Sequence, residues 1–318
     1  MVHAPALGIL KARKRMNDGI RRFFDQRGFL EVETPIAVRS PGIEPHLEPF
    51  SIEFVAPNRS RHSLFLQTSP EFAMKRLLAS GTGSIYQLAR VFRNGESSNH
   101  HTPEFTMLEF YRSGASLAEL SEDVVGLVRH LAALLQVAPP APVARRTVSE
   151  LFAEAGLMDP LDLQQSVDAL SQGLQVAAAP DDDWEDVFFK VFLERVESLL
   201  PSRQLTLLSG YPARMAALSE LDPGDDRKAL RMEVYWGQLE LGNAYQELTD
   251  PAEQRRRFES DNGLRLRLGR TPMPIDQDLL ADLPAMGRAA GIAIGTDRLL
   301  MKLLGLRRVQ DVLCFPVA

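Results

Sequence analysis

The sequence predicts an α+β fold in which an antiparallel sheet is flanked by helices. Two observations carry that prediction. Strand-like runs return on themselves through short polar loops, and helical stretches open on hydroxyl-plus-glutamate capping signals. Ile85 to Phe92, the polar loop Arg93 to Thr102 and the run Phe105 to Tyr111 read as one long antiparallel hairpin. Ser116 with Glu119 stands at capping-box spacing before a helix that ends near Gln136.

In chain order, Met16, Ile20, Phe23 and Phe24 recur at helical spacing, with Gly28 as the C-cap. An extended segment, Phe29 to Glu33, then stops at Pro35. Leu64 to Leu66 reads as a short strand meeting a helix start, with Thr68 and Glu71 at capping-box spacing and Pro70 near the first turn. That helix runs towards Gly81. After the hairpin and the Ser116 helix comes the linker Pro139 to Pro142, and Thr147 to Leu200 is mainly helical. Leu205 to Leu208 and Arg231 to Leu248 read as strands with a Pro-Gly-Asp-Asp turn at Pro223 between them, followed by a helix from Ala252 to about Leu268. The chain closes with a glycine-punctuated strand from Gly291, a helix from Asp297 and a final strand from Val309 to Phe315, in which Cys314 is expected to be a buried thiol.

Composition narrows the function classes. With 318 residues, 45% hydrophobic and 25% charged, the chain is ordinary for a globular protein with a sizeable core. A single cysteine excludes a disulfide framework and fits a reducing cytosol, so the expected location is cytoplasmic. No segment approaches the roughly 18 uninterrupted apolar residues that a membrane span needs. A formal net charge of −6 argues against generic polyanion binding.

Three groups of residues carry chemistry. Arg93, where a strand enters a loop, and Arg298, just after the strand Gly291-Ile-Ala-Ile-Gly-Thr-Asp297, suit a polyphosphate, although each alone reads as a surface ion-pair residue. Glu233, Glu240 and Glu247 repeat every seven residues and are hard oxygen ligands for magnesium, or else solvent-facing charges. An odd spacing puts successive members on opposite faces of a regular strand. A bend at Gly237 and a bulge at Gly242-Asn243 would restore a common side. Phe105, Met107, Glu109 and Tyr111 share one strand face, where the first can stack on a base and the last two can receive an ammonium group, or where the first two are simply core. His100 and His101 form too weak a metal signal to carry a site, and Arg255, Arg256 and Arg257 read either as a solvated helix face or as a dock for an acidic surface.

Taken in order, these pieces resemble the class II aminoacyl-tRNA synthetases. The first helix with Gly28-Phe29, Val32 and Pro35 resembles motif 1, Phe92-Arg93 with His101 to Tyr111 resembles the motif 2 hairpin, and Gly291-x-Ala293-x-Gly295-x-x-Arg298 resembles motif 3. Glu240 to Leu248, Thr68-Ser69-Pro70-Glu71 and the Glu109/Tyr111 pair are similar to the lysine branch. The resemblance implies one catalytic domain over 1–318, with a mainly helical insertion at about 139–203 and without the N-terminal anticodon-binding barrel of that branch. Ala293, where lysyl-tRNA synthetases usually have glycine, brings the chain nearer to the freestanding paralogues that attach (R)-β-lysine to a lysine of elongation factor P.

What the resemblance implies is an ATP-dependent, AMP-forming ligase acting on (R)-β-lysine or lysine, with elongation factor P as acceptor, tRNA disfavoured and a homodimer formed through motif 1. The alternatives are a truncated synthetase charging tRNA or another carrier with α-lysine, and a non-catalytic regulatory paralogue. Arg93 and Arg298 would be catalytic, and ATP would lie against Arg93, Asn94, Gly95, Thr102, Phe105, Glu240, Leu241, Gly295 and Arg298. The amino acid would meet Ser69, Pro70 and Glu71 at one end and Glu109, Tyr111 and Glu247 at the other, with Asn243 near its carboxylate and the Ala293 methyl group reshaping its pocket. Glu233 and Glu240 would hold magnesium. Two departures from the family pattern stand out, Asn94-Gly95-Glu96 with its carboxylate displaced by one residue, and Thr102 in place of asparagine.

Overall fold

A computed structural model describes residues 7–316. Helix α1 (Leu7–Asp25) buries Met16, Ile20, Phe23 and Phe24 along one stripe. It ends as the spacing predicts. Gly28 takes φ +74, its N–H donates to the Asp25 carbonyl at 3.1 Å, and the Phe29 N–H reaches back to Phe24 at 3.1 Å, a Schellman ending. Strand β1 (Leu30–Glu31) follows, and then β2 (Ala37–Val38), β3 (Ser51–Val55) and β4 (Arg61–Leu66) form a small antiparallel sheet in the order β2-β4-β3. The segment Phe29 to Glu33 predicts β1, whereas of the small sheet only the end of β4 is legible in the sequence.

Helix α2 (Glu71–Ala79) begins without the expected Thr68 capping box. The Thr68 hydroxyl donates to the Pro41 carbonyl instead, and Ser69 Oγ accepts the Glu71 N–H at 3.1 Å. The hairpin of β5 (Ile85–Phe92) and β6 (Glu104–Ser113) pairs in register from Ile85/Tyr111 to Phe92/Glu104. Helix α3 (Leu117–Leu135) has both halves of the Ser116/Glu119 capping box and stops at Gln136, which is left-handed.

The next segment departs from expectation at its start. Residues 143–147 are not part of a helical run but strand β7 (Val143–Thr147), which pairs in parallel with β8 (Leu205–Pro212). Between them come α4 (Val148–Glu154), α5 (Val167–Leu174) and α6 (Trp184–Val191), which bury Phe152, Trp184 and Phe188 in a core cluster shared with Tyr211 and Tyr235 of the main sheet. Then come β9 (Leu221–Asp222), β10 (Asp225–Trp236), β11 (Leu239–Gln246), α7 (Pro251–Arg267), α8 (Gln277–Met286), β12 (Ala289–Gly295) and α9 (Thr296–Leu303).

The nine-stranded main sheet runs β1-β5-β6-β12-β11-β10-β8-β7, with β9 beside β10. Its interior is antiparallel as predicted, but β1/β5 and β7/β8, at its two edges, are parallel. Even-numbered residues of β6 and β12, such as Leu108, Phe110, Ile292 and Ile294, pack with α1 and α3 into the largest core, leaving the odd-numbered face for chemistry.

The predicted final strand is absent among the described residues. Val309–Val312 form a 3₁₀ turn whose buried members, Val309 and Val312, are three apart rather than two, and Cys314 is exposed. Periodicity of three buries one side of a turn, and the thiol lies beyond it.

Candidate active site

The site lies on the odd-numbered face of the central strands. Glu109 of β6 faces Ala293 of β12, Ala293 faces Asn243 of β11, and Asn243 faces Glu233 of β10, a single cross-strand row. The next row is Tyr111, Gly291, Tyr245 and Arg231. Glu240 belongs to the same face because the register between β10 and β11 shifts by one residue between Tyr235/Glu240 and Val234/Gly242. The bulge expected near Gly242 is therefore present, and Gly237, at φ +64, sits in the tight turn that places Glu233 and Glu240 on neighbouring strands.

One end of the cavity is cationic. Arg93 follows β5, reaches the Thr68 carbonyl and Glu96 (both at 3.5 Å), and stands over the Phe105 ring at 5.2 Å. Glu96, the displaced motif 2 carboxylate, is thus still paired with Arg93. Arg298, in the first turn of α9, donates to the carbonyls of His100 and Glu240 at 3.0 Å each, bonds the His101 ring and lies 3.8 Å from the Glu240 carboxylate. The two histidines are loop residues fastened to this arginine, and burial with the Arg298 charge holds both below the ordinary imidazole range.

The other end is acidic and centres on a residue that the sequence reading missed. The buried Lys75 ammonium of α2 lies 2.6 Å from Glu71 and 2.7 Å from Glu247, joining carboxylates assigned to opposite ends of the substrate. These are ion pairs rather than aligned hydrogen bonds. Burial works against the Lys75 charge, but the two carboxylates hold it cationic. Ser69 and Tyr111 each donate to Glu109 at 2.6 Å, so Ser69 too spans the two expected ends. Burial, helped by the Glu71 charge, pushes Glu109 up to about 8. A Cβ on Gly291 would stand 2.3 Å from the Tyr111 ring and 2.5 Å from Glu247, so only glycine leaves room for both groups.

The family model described as tRNA synthetases class II (D, K and N) matches residues 2–318. The chain belongs to the class II tRNA synthetase family. Among its relatives are proteins named elongation factor P–(R)-β-lysine ligase. That of Vibrio cholerae is 41% identical over 315 residues, covering 96% of this chain and 94% of that one, and that of Vibrio atlanticus is 38% identical over 314 residues, covering 96% and 95%. The Proteus mirabilis protein of the same name is 38% identical over 330 residues, 99% of this chain and 96% of its own.

Of the positions carried over from the class II synthetases, Ser69, Glu71, Arg93, Thr102, Phe105, Glu240, Leu241, Asn243, Ala293, Gly295 and Arg298 border one cavity. Glu109, Tyr111 and Glu247 stand behind its wall, fully buried. Pro70 precedes α2, and Asn94 is tied by its N–H to the Glu48 carbonyl at 2.7 Å, next to Gly95 at φ +85; none of these three borders the cavity. The lining also includes Glu44, Met107, Tyr245 and Asp297, which the sequence reading did not assign as ligand-binding.

A divalent cation fits Glu240 better than Glu233. Burial and the Glu233 charge raise the Glu240 carboxyl, a cost that a cation would remove. Both Glu233 oxygens are already taken, by Arg231, Tyr211 and Tyr235 at 2.6 Å each. Arg255, Arg256 and Arg257 lie along α7. The last two pair with Glu253, while Arg255 donates to Gln277 at 2.6 Å.

Proposed function

We propose that this chain is an ATP-dependent, AMP-forming ligase that activates (R)-β-lysine and transfers it to a lysine side chain of elongation factor P. The observation that carries the reading is the polarity of one cavity. Arginines and an aromatic ring stand at one end, and buried acids stand behind the other, with Phe105 and Glu109 at different points along the same strand, β6, of one continuous sheet face. Relatives at about 38–41% identity over nearly the whole chain carry that ligase name, which supports the acceptor and the substrate.

In this reading Phe105 and Arg298 flank the adenine, Arg93 holds the α-phosphate, and Asn94, Gly95, Thr102, Leu241 and Gly295 shape the nucleotide's surroundings. Magnesium, when bound at Glu240 with Glu233 behind it, would neutralise charge on the phosphates. Glu109 and Tyr111 receive the side-chain ammonium, with Glu247 behind through Lys75, Asn243 lies near the amino-acid carboxylate, and Ala293 shapes the pocket. The amino-acid carboxylate oxygen attacks the α-phosphorus, and the bond to pyrophosphate breaks. The neutral acceptor amine then attacks the adenylate carbonyl, forming the amide and expelling AMP. Alignment and fixed positive charge supply the acceleration, so no covalent enzyme intermediate is needed.

We place the enzyme in the cytoplasm as a homodimer, with the helices of 148–200 as an insertion on a single catalytic domain. No described helix is long and apolar enough to cross a membrane. The motif 1 helix spends its apolar stripe inside its own chain, so the dimer contact falls to neighbouring exposed residues such as Leu30 and Ile36.

Two assays test the proposal together. Pyrophosphate exchange should be faster with (R)-β-lysine than with α-lysine, and intact-mass measurement should show elongation factor P gaining one β-lysyl group. Unmodified factor beside efficient charging of tRNA with α-lysine would overturn it.

A further inference from the structure

Almost every carboxylate bordering the cavity already answers a cation. Glu71 holds Lys75 at 2.6 Å, Glu96 faces Arg93 at 3.5 Å and Glu240 faces Arg298 at 3.8 Å. Asp297 holds Arg13 at 2.6 Å and accepts the Thr106 N–H at 2.8 Å. Glu44 is the exception. Among the described residues its carboxylate has no cation within ion-pair distance and no donor from another residue, taking only its own main-chain N–H.

The backbone is built to leave that carboxylate in place. Gly42 has φ +114, and a Cβ there would stand 2.5 Å from Glu44 Oε2 and 3.1 Å from Thr68 Oγ1. A side chain at 42 would therefore be strained and would also displace the acid. The loop is anchored from behind by the buried Arg265, which donates to the Glu44 carbonyl at 3.0 Å and the Leu47 carbonyl at 2.7 Å and pairs with Glu48 at 2.9 Å. Burial and the neighbouring Glu71 charge push the Glu44 carboxyl upwards, as expected for an acid still lacking its counter-ion.

We infer that Glu44 receives the substrate ammonium nearest the reacting carboxyl group and so determines which amino-group position the enzyme accepts. The inference rests on the lysine-activating reading of the cavity and deepens it. The end is assigned by the neighbours. Glu44 lies between the ends, within the fields of Glu71 at the acidic end and of Arg93 at the phosphate end, whereas Tyr111 and Lys75 with Glu247 lie deeper, behind the cavity wall. Amino groups on the second and third carbons differ in position by one bond, and an acid fixed on an anchored loop can tell them apart.

The test is a comparison of the wild type with Glu44→Gln against (R)-β-lysine and two truncated analogues, (R)-3-aminohexanoic acid and 6-aminohexanoic acid. The first analogue keeps only the amine near the carboxyl group, and the second keeps only the distal one. Dissociation constants come from calorimetry, and KM for β-lysine and for ATP from pyrophosphate exchange. The variant should bind β-lysine and 3-aminohexanoic acid roughly 10- to 100-fold more weakly, the order of a lost charged hydrogen bond. It should bind 6-aminohexanoic acid within about twofold of the wild type and keep its KM for ATP. If Glu44→Gln unfolds, Glu44→Asp should give the same selective pattern at smaller amplitude.

Equal loss on all three ligands would mean a merely structural role and overturn the inference. So would a loss confined to 6-aminohexanoic acid, or no loss at all. A wild-type enzyme that activates neither lysine isomer would instead overturn the underlying reading, and this inference with it.

Discussion

Replacing Lys75 by methionine should be among the most costly single changes in the amine pocket, because it keeps the apolar stem and deletes only the charge. The Lys75 side chain is 1% exposed and lies 2.6 Å from Glu71, itself 14% exposed, and 2.7 Å from Glu247, 1% exposed. Removing one partner of a buried pair costs about 3–5 kcal/mol, because the charge left behind is uncompensated. Glu71 borders the cavity and can regain water, so most of that cost falls on Glu247. Adding Glu247→Gln to Lys75→Met should therefore recover about 2–3 kcal/mol, leaving the double variant more stable than Lys75→Met alone. Urea titrations of the wild type, both single variants and the double variant, with m-values compared, read these differences directly. A Lys75→Met variant within about 1 kcal/mol of the wild type, or losses from the two changes that simply add, would refute the reasoning.

Three further outcomes follow from the same geometry. Arg93→Ala and Arg298→Ala should each lower pyrophosphate exchange by at least about 100-fold while the far-UV spectrum is unchanged, and a folded variant with near-normal exchange would sink the phosphate-end assignment. Glu109, raised to about 8, keeps a proton on folding that the unfolded carboxyl has lost, so its contribution is full below about 4.5 and fades as pH rises through 8. The stability of the wild type relative to Glu109→Gln should then fall between pH 6 and 8 by up to about 1.4 kcal/mol per pH unit, and a pH-independent difference would contradict this. Gly291→Ala should destabilise by about 1–3 kcal/mol and raise KM for the amino acid more than for ATP, since its methyl group strikes Tyr111 and Glu247; an equal effect on both KM values would argue against that placement.

Much of the catalytic half was legible because its signals are local. The Ser116/Glu119 box, the Arg93 hairpin and the Gly291 to Arg298 segment each lie within one continuous stretch of chain, and the odd spacing of Glu233, Glu240 and Glu247 leaves a common face open only through a bend and a bulge, of which the bulge is present. What stayed hidden depends on distant partners. Lys75 sits four residues after Glu71, so in sequence it reads as an ordinary exposed helix pair, and only Glu247, far along the chain, turns it into a buried counter-ion. Glu44 had one clue, a glycine two residues earlier, but nothing local says that Gly42 makes room for a carboxylate rather than a turn. Strand β7 is hidden because Arg145 and Arg146 interrupt its short apolar pattern, and the apolar run before Cys314 reads as a strand although its buried members, Val309 and Val312, repeat every three residues.

The two parallel edge pairs of the sheet bear on how copies of the chain can meet. An open edge strand offers unpaired N–H and C=O groups on which another chain can extend the sheet, the usual route to uncontrolled aggregation. Here one edge, β1, is only two residues long, too short to template a partner. The other, β7, carries Arg145 and Arg146, whose guanidinium groups are drawn to Glu122, Glu150 and Glu154 on adjacent helices. A strand approaching that edge would have to strip charges already spoken for. Growth of the sheet from chain to chain is thus discouraged at both margins, and association between copies is left to side-chain surfaces, whose composition can be selected for one partner and one stoichiometry.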